Sequence, residues 1–402
     1  MSNAFLTPTA VTREALRVLH QKLNFVGSIT REYDDSFARQ GAKVGDTLKV
    51  RLPNQYTVRS GSALLAQDTT ETAVDLKVST QKGVDLNFTS VDLTMNLDDF
   101  SERVLEPAMS VLAANIEADA MSMYKDVFNE VIGAGPATFT RVLQGRKVLV
   151  DNLAPLNART CNLNTQDNVD LVDALKGLFN DQTTVAKQNR EGFMGRTAGF
   201  DFMENTLWPS HTVGTKAGTP LTNGAAQSGA SLITDGWTAS SAILNRGDVF
   251  TIAGVFRVHP ETKQSTGILQ PFVVTDVAGV SSNGAGQATI TISPPIVGPA
   301  GTPPNQNVSA LPADNVAISV NGVSATAHGV SMAYQKGAFA FASADMVMPR
   351  GVDFAAREVF DGVSMRIVRQ YDISNDKFPC RLDVLYGYKT IRPQLACRLA
   401  NN

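Results

Sequence analysis

The sequence predicts a mixed α+β host into which a small all-β domain is inserted. Three observations predict it. Residues 214–330 are 117 of the 402 positions, yet they hold 9 of the 73 charged residues and 24 of the 49 glycines and prolines. Hydrophobic residues there come in short runs, Val249-Phe250-Thr251-Ile252, Phe272-Val273-Val274, Thr289-Ile290-Thr291-Ile292 and Val316-Ala317-Ile318-Ser319-Val320, each bounded by Gly, Pro, Asn or Asp. Such runs between turn formers read as strands. On both sides the chain returns to helical periodicity and ordinary charge density, so the β module interrupts the host.

The elements follow in order. Thr12 is a candidate N-cap, and Leu16, Leu19 and Leu23 follow at helical spacing. Leu48, Val50 and Leu52 alternate with Lys49 and Arg51 ahead of Pro53, which reads as a strand. Residues 54–72 are polar and turn-rich, and two alternating runs, Val74/Leu76/Val78 and Val84/Leu86/Phe88, flank Lys82-Gly83. Together with 47–52 they suggest a long two-stranded arm. An isolated ribbon is marginal in water, so the arm is expected to lie on a neighbouring subunit.

Pro107 suits a first helical turn, and Met109, Leu112, Ile116, Ala120, Met123, Val127 and Val131 recur every three or four residues up to Gly133-Ala134-Gly135-Pro136. This predicts one long helix with a single apolar stripe. A second helix is expected from Val169 to Phe179, capped by Asp167 or Asn168. After the insert, 337–344 reads as a strand of small residues, and Met365/Ile367, Leu382/Val384 and Tyr386–Lys389 as further strands. Asn321-Gly322 signals a hairpin turn between Ile318–Val320 and Val323–Ala325.

Composition narrows the class. The net charge is −3, but residues 1–51 and 350–402 each carry +3, leaving −9 between them. The basic ends could face a polyanion, although no charge run is dense enough to announce nucleic-acid recognition. Three scattered cysteines, Cys161, Cys380 and Cys397, fit buried thiols in a reducing compartment. The opening Met1–Phe5 has no basic stretch leading into an apolar one, and no run approaches the roughly 18 apolar residues of a membrane span, so a soluble cytoplasmic product is expected.

Nothing in the chain announces catalysis. His20, His211, His259 and His328 lie in no metal-ligand spacing, and no Walker A, GxGxxG or GxSxG pattern occurs. Cys161 reads as a structural thiol rather than a nucleophile, and Asp34-Asp35 and Asp98-Asp99 as loop or cap residues. Arg246-Gly247-Asp248 matches an adhesion tripeptide, but its position before Val249–Ile252 makes it a turn entering a strand. No catalytic, cofactor or metal residue is therefore assigned.

Ala198-Gly199-Phe200-Asp201, Arg246-Gly247-Asp248 with Ala253-Gly254-Val255, Gly337-Ala338-Phe339-Ala340, and Tyr386-Gly387 followed by Arg392-Pro393 occur in this order. In that order and spacing the chain resembles tailed-bacteriophage major coat proteins of the P-twenty-two type. These have the Hong Kong 97-like (Johnson) fold with an inserted β-barrel domain. The resemblance implies an N-terminal arm over 1–46 and an extended β loop over 47–92. It places the spine helix, peripheral domain and part of the axial domain in 93–213, the inserted barrel in 214–330, and the axial domain with return strands in 331–402. It implies a coat subunit that self-assembles as capsomers into an icosahedral virion shell around non-specifically held double-stranded DNA. A scaffolding protein and a portal would be its assembly partners, with synthesis in the host bacterial cytoplasm and no role for a membrane or cofactor. Arg51, Arg59, Leu76, Leu86, Phe88 and Asp235 are the candidate subunit-interface residues. In the family an early loop of the insert is charged; here Asn223–Ser240 carries Asp235 alone. Two other readings compete: an enzyme with an appended β-sandwich binding module, and a cellular nanocompartment shell.

Overall fold

A computed structural model describes residues 8–33, 47–58, 61, 62, 64, 66, 72–89, 106–175, 196–301, 303–360, 363–374 and 377–401. Two compact units divide the chain. One comprises residues 1–50, 73–121 and 339–391, the other 51–72, 122–338 and 392–402.

The first unit is a sheet covered by helices. Its central strand, Lys377–Thr390, pairs with Thr80–Thr89, with Val363–Arg369 and with Phe339–Ala344. Phe354–Phe360 extends the sheet beyond Val363–Arg369, and Thr30–Tyr33 pairs in parallel with Phe339–Ala344. The two-residue period decides the faces. Leu382 and Val384 are buried opposite Ile367 and Met365. One step over, Asp383 lies opposite Arg366 and the two pair at 2.8 Å. The expected separate strands at 382–384 and 386–389 are thus one continuous strand.

The helix Pro8–Lys22 buries Leu16 and Leu19 and packs on Phe354–Phe360 and on the helix Glu106–Met121. Thr12 is inside this helix and not its cap. The long helix buries Met109, Leu112, Ile116 and Ala120 as the stripe predicts, but it ends at Met121. A 3-10 turn, Ser122–Asp126, follows. Val131 belongs to a strand, Glu130–Gly133, paired in parallel with Ala396–Asn401. Ladder pairing outweighs the helical pattern there, because local propensity is the weaker force.

The expected arm is also corrected. Thr47–Arg51 pairs with Ala73–Lys77 as a two-stranded ribbon, whereas Thr80–Thr89 runs along Lys377–Tyr386 within the main sheet. Leu86 lies opposite Cys380 and Phe88 opposite Phe378. The ribbon strand crosses close over the sheet at Gly387, where a Cβ would fall 2.1 Å from the Lys77 carbonyl oxygen.

In the second unit the host sheet runs Glu130–Gly133, Ala396–Asn401, Ala327–Gln335, Arg159–Leu163, Phe200–Glu204, Arg196–Thr197. The helix Phe139–Asp151 packs on three of these strands. The second predicted helix is Thr165–Leu175, and its cap is Asn164, whose Oδ1 accepts the Asp167 N–H at 2.8 Å. Its expected extension to Phe179 lies outside the described residues, as do Asp34-Asp35 and Asp98-Asp99. Cys161 and Cys397 flank Ala333 on either side, one strand apart, and all three thiols are buried and free. Burial pushes Cys161 far up, and Cys380 and Cys397 up to about 12, so the thiolate needed for nucleophilic chemistry does not form near neutral pH.

The insert is a barrel. Its strands run Gly218–Thr222, Gly229–Trp237, Ala288–Ile296, Ser265–Val274, Val249–Val258, Ile318–Val320. A bridge between Leu221 and Ala317 closes the first strand on the last. Phe250, Ile252, Phe272, Ile290 and Ile292 fill the interior, all from the runs that predicted strands. Closure brings the two end strands of the sheet together. The predicted hairpin at Asn321-Gly322 is not formed: Ile318–Val320 pairs with Phe250–Ile252, and 323–325 form no strand.

Candidate functional site: the barrel joint and the exposed apolar surfaces

The barrel leaves and re-enters the host through two strands that touch. Ser210–Thr212 pairs antiparallel with the start of Ala327–Gln335, so that His211 lies opposite His328. Entry and exit side by side let a domain insert without disturbing its host.

A buried polar network ties this crossing together. His211 Nε2 lies 2.9 Å from Asp248 Oδ1, and His211 Nδ1 lies 3.3 Å from the Tyr124 hydroxyl. Asp248 Oδ2 accepts the N–H groups of Gly214 at 3.0 Å and Asn245 at 2.8 Å. A carboxylate only accepts, so a proton on Nε2 is shared with Asp248, and Nδ1 faces the Tyr124 hydroxyl. Burial raises the Tyr124 hydroxyl above its usual range, which keeps it a donor. Asp248 is thus the residue that holds the barrel turn to the entering strand, and the Arg246-Gly247-Asp248 tripeptide is structural; Arg246 pairs with Asp126 at 3.0 Å.

Across the crossing, the His328 ring meets His211 edge-on at 5.4 Å. Beside it, Arg398 is fully buried; its guanidinium lies over the Tyr124 ring and 3.5 Å from Glu130, but makes no hydrogen bond. Glu130 also accepts from the Asn321 side chain at 3.0 Å. Gly322 has φ +81°, and a Cβ there would meet Val213 at 2.7 Å, so the closing turn requires glycine. Sequence reasoning dismissed the histidines singly; their partners are remote in sequence, and a strand register brings them together.

The residues predicted for subunit contact do not gather in one place. Arg51 is exposed at the end of the ribbon, and Arg59 lies outside the described residues. Leu76 is fully buried within its own unit, so it has no surface to offer a neighbour. Leu86 is half-buried in the sheet, and Phe88 is on the same strand with its side chain outside the described set. Asp235 is not on a loop: it sits half-buried on the barrel strand Gly229–Trp237, opposite Leu221. The exposed apolar side chains lie elsewhere. Val58 and Leu64, in the stretch joining the two ribbon strands, are 95% and 88% exposed, and Leu143 and Val150 are exposed on the helix Phe139–Asp151.

His211 and Asp248 are sealed, and the His259 ring accepts from the Glu261 and Thr262 N–H groups of its own turn. Among the described residues no three His, Cys, Asp or Glu side chains are grouped to hold a metal ion, and no helix is long and apolar enough to cross a membrane.

Comparison with known proteins bears on this arrangement. The chain is similar to a solved structure of Mycobacterium phage Che8, at 12% identity over 94% of this chain and 91% of that one, TM-score 0.45. It is similar to the mature capsid of bacteriophage PhiM1, at 10% identity over 94% and 87%, TM-score 0.44. Residues amounting to 26% of the chain match 96% of the CUS-3 coat protein I-domain at 28% identity, TM-score 0.20. No curated protein matches the sequence. The family model described as "P22 coat protein - gene protein 5" matches residues 38–398, host and insert alike. With that match spanning nearly all of its length, the chain belongs to the P22 coat protein family and is a phage major capsid protein, a subunit of an icosahedral shell.

Proposed function

We propose that the shell built from this chain encloses double-stranded DNA, and that the exposed side chains of Val58 and Leu64 are what each subunit lays against its neighbour. The observation that carries the reading is the exposure of Val58 and Leu64, 95% and 88%, between the strands of a ribbon too small to cover them. Burying such side chains against a second copy gains about 25 cal/mol per Å² of apolar surface, and a closed lattice repeats the gain at every contact. Leu143 and Val150, one helical face apart by seven residues, supply a second surface of the same kind.

DNA is held without sequence preference through the basic ends, 1–51 and 350–402, each +3. A scaffolding protein and a portal take part in assembly, and the subunit is made in the host cytoplasm. The chain acts as a structural subunit rather than an enzyme: its one buried His–Asp pair among the described residues serves the barrel joint. Size-exclusion chromatography with light scattering and electron microscopy of the purified chain, with and without scaffolding protein, test the reading. Shells or capsomers are the expected result; a stable monomer under every condition would overturn it.

A further inference from the structure

The two histidines at the barrel joint are a matched pair with unequal surroundings. His211 is satisfied on both nitrogens, by Asp248 and Tyr124. His328 is buried, and neither Nδ1 nor Nε2 has a hydrogen-bond partner. A buried neutral imidazole without partners is tolerable, whereas a buried imidazolium with two unsatisfied N–H groups is costly.

The charges around His328 come from every element packed on it. His211 faces it from the entering strand and Arg398 from the strand Ala396–Asn401; both oppose a proton on His328. Glu130, from the strand Glu130–Gly133, and Asp248, from the barrel turn, favour one. Each carboxylate is already engaged, Glu130 by Arg398 and Asn321, Asp248 by His211 and two backbone N–H groups. Tyr124, against His211 and Arg398, stays protonated. Burial is the largest influence, and it holds the His328 imidazole below its ordinary value.

We propose that the His211–His328 crossing is an acid-released latch, in which protonation of His328 loosens the pairing of the two strands through which the barrel leaves and re-enters the host. The direction follows from proton linkage. The folded joint keeps His328 neutral while the opened joint lets it titrate normally, so the open form binds more protons. Stability of the joint is complete above the usual imidazole value of about 6.5 and declines as pH falls through it. The latch loosens two adjacent strands and leaves the closed barrel intact, because the barrel interior contains neither histidine.

Hydrogen exchange read by mass spectrometry on the full chain, as free subunit, tests this apart from any question of assembly. After correction for intrinsic rates, peptides spanning 210–216 and 326–330 should exchange several-fold faster at pH 5.5 than at pH 7.5, up to the roughly ten-fold that one imidazole titrating near 6.5 in the open form allows, reversibly, while peptides within 249–258 stay unchanged. His328→Leu should abolish the acid step, and His328→Gln serves if the leucine variant fails to fold. A flat wild-type profile overturns the proposal by itself. So does an acid step of wild-type size in either folded variant, or acid exposure of 249–258 together with the joint.

Discussion

The carboxylate of Glu117 accepts the backbone N–H groups of Phe25 at 3.0 Å and Val26 at 3.1 Å, ninety residues away in sequence. Glu117 is 1% exposed on the long helix, and the short helix Phe25–Ser28 has no side-chain cap of its own from Asn24. One buried acid thereby accepts from two N–H groups at a helix start. Glu117→Ala removes this acceptor from both N–H groups and should cost about 1–3 kcal/mol in a urea melt. Glu117→Gln, which keeps one acceptor, should cost less. Equal melts for wild type and Glu117→Ala would refute the role.

Gly387 is the point where the ribbon strand rests on the sheet. Alanine there places a methyl group 2.1 Å from the Lys77 carbonyl oxygen and 3.0 Å from Val78 Cα. The backbone must lift, and the expected cost is about 1–3 kcal/mol. Hydrogen exchange in 73–78 should accelerate; unchanged protection there would show that the contact is not tight.

Leu76 and Leu64 separate folding from assembly. Leu76→Asp buries a charge within the subunit and should abolish cooperative folding, seen as loss of the thermal transition. Leu64→Asp and Val58→Asp, at exposed sites, should change stability by no more than about 0.5 kcal/mol yet prevent shell formation. Normal shells from both exposed variants in electron micrographs would remove the ribbon loop from the interface.

The barrel should fold alone. Its first and last strands close on each other through Leu221 and Ala317, and its core is drawn from its own strands. A fragment of residues 213–326, without cysteine, should give a dispersed amide spectrum and a single melting transition. A collapsed spectrum across several choices of end point would show that the host sheet is needed to hold it.

Most of the architecture was legible because it rests on periodicity. The runs ending at Ile252, Val274 and Ile292 are barrel strands with their apolar residues inside, and Met109, Leu112 and Ile116 line one helix face. The errors fall where two patterns compete for one segment. Val131 continues a helical stripe equally well as it fits an edge strand, and only Leu399 across the ladder selects the strand. Leu86 alternates like an arm residue, but Cys380 lies opposite to pair with it. The candidate interface was the least legible part, since alternation marks a residue as buried without saying against what; Leu76 is buried by its own chain.

The sequence by itself determined the insert and its β character, because low charge, turn formers and short apolar runs are local properties that need no partner to be recognised. It also determined the absence of close-spaced catalytic motifs. Tertiary structure alone decided which strand pairs with which, and with that the joint: His211 and His328 stand 117 residues apart, and Asp248, Tyr124 and Arg398 arrive from three further segments. Burial energy depends on the set of groups brought together in low dielectric, and no local stretch of the chain carries that set.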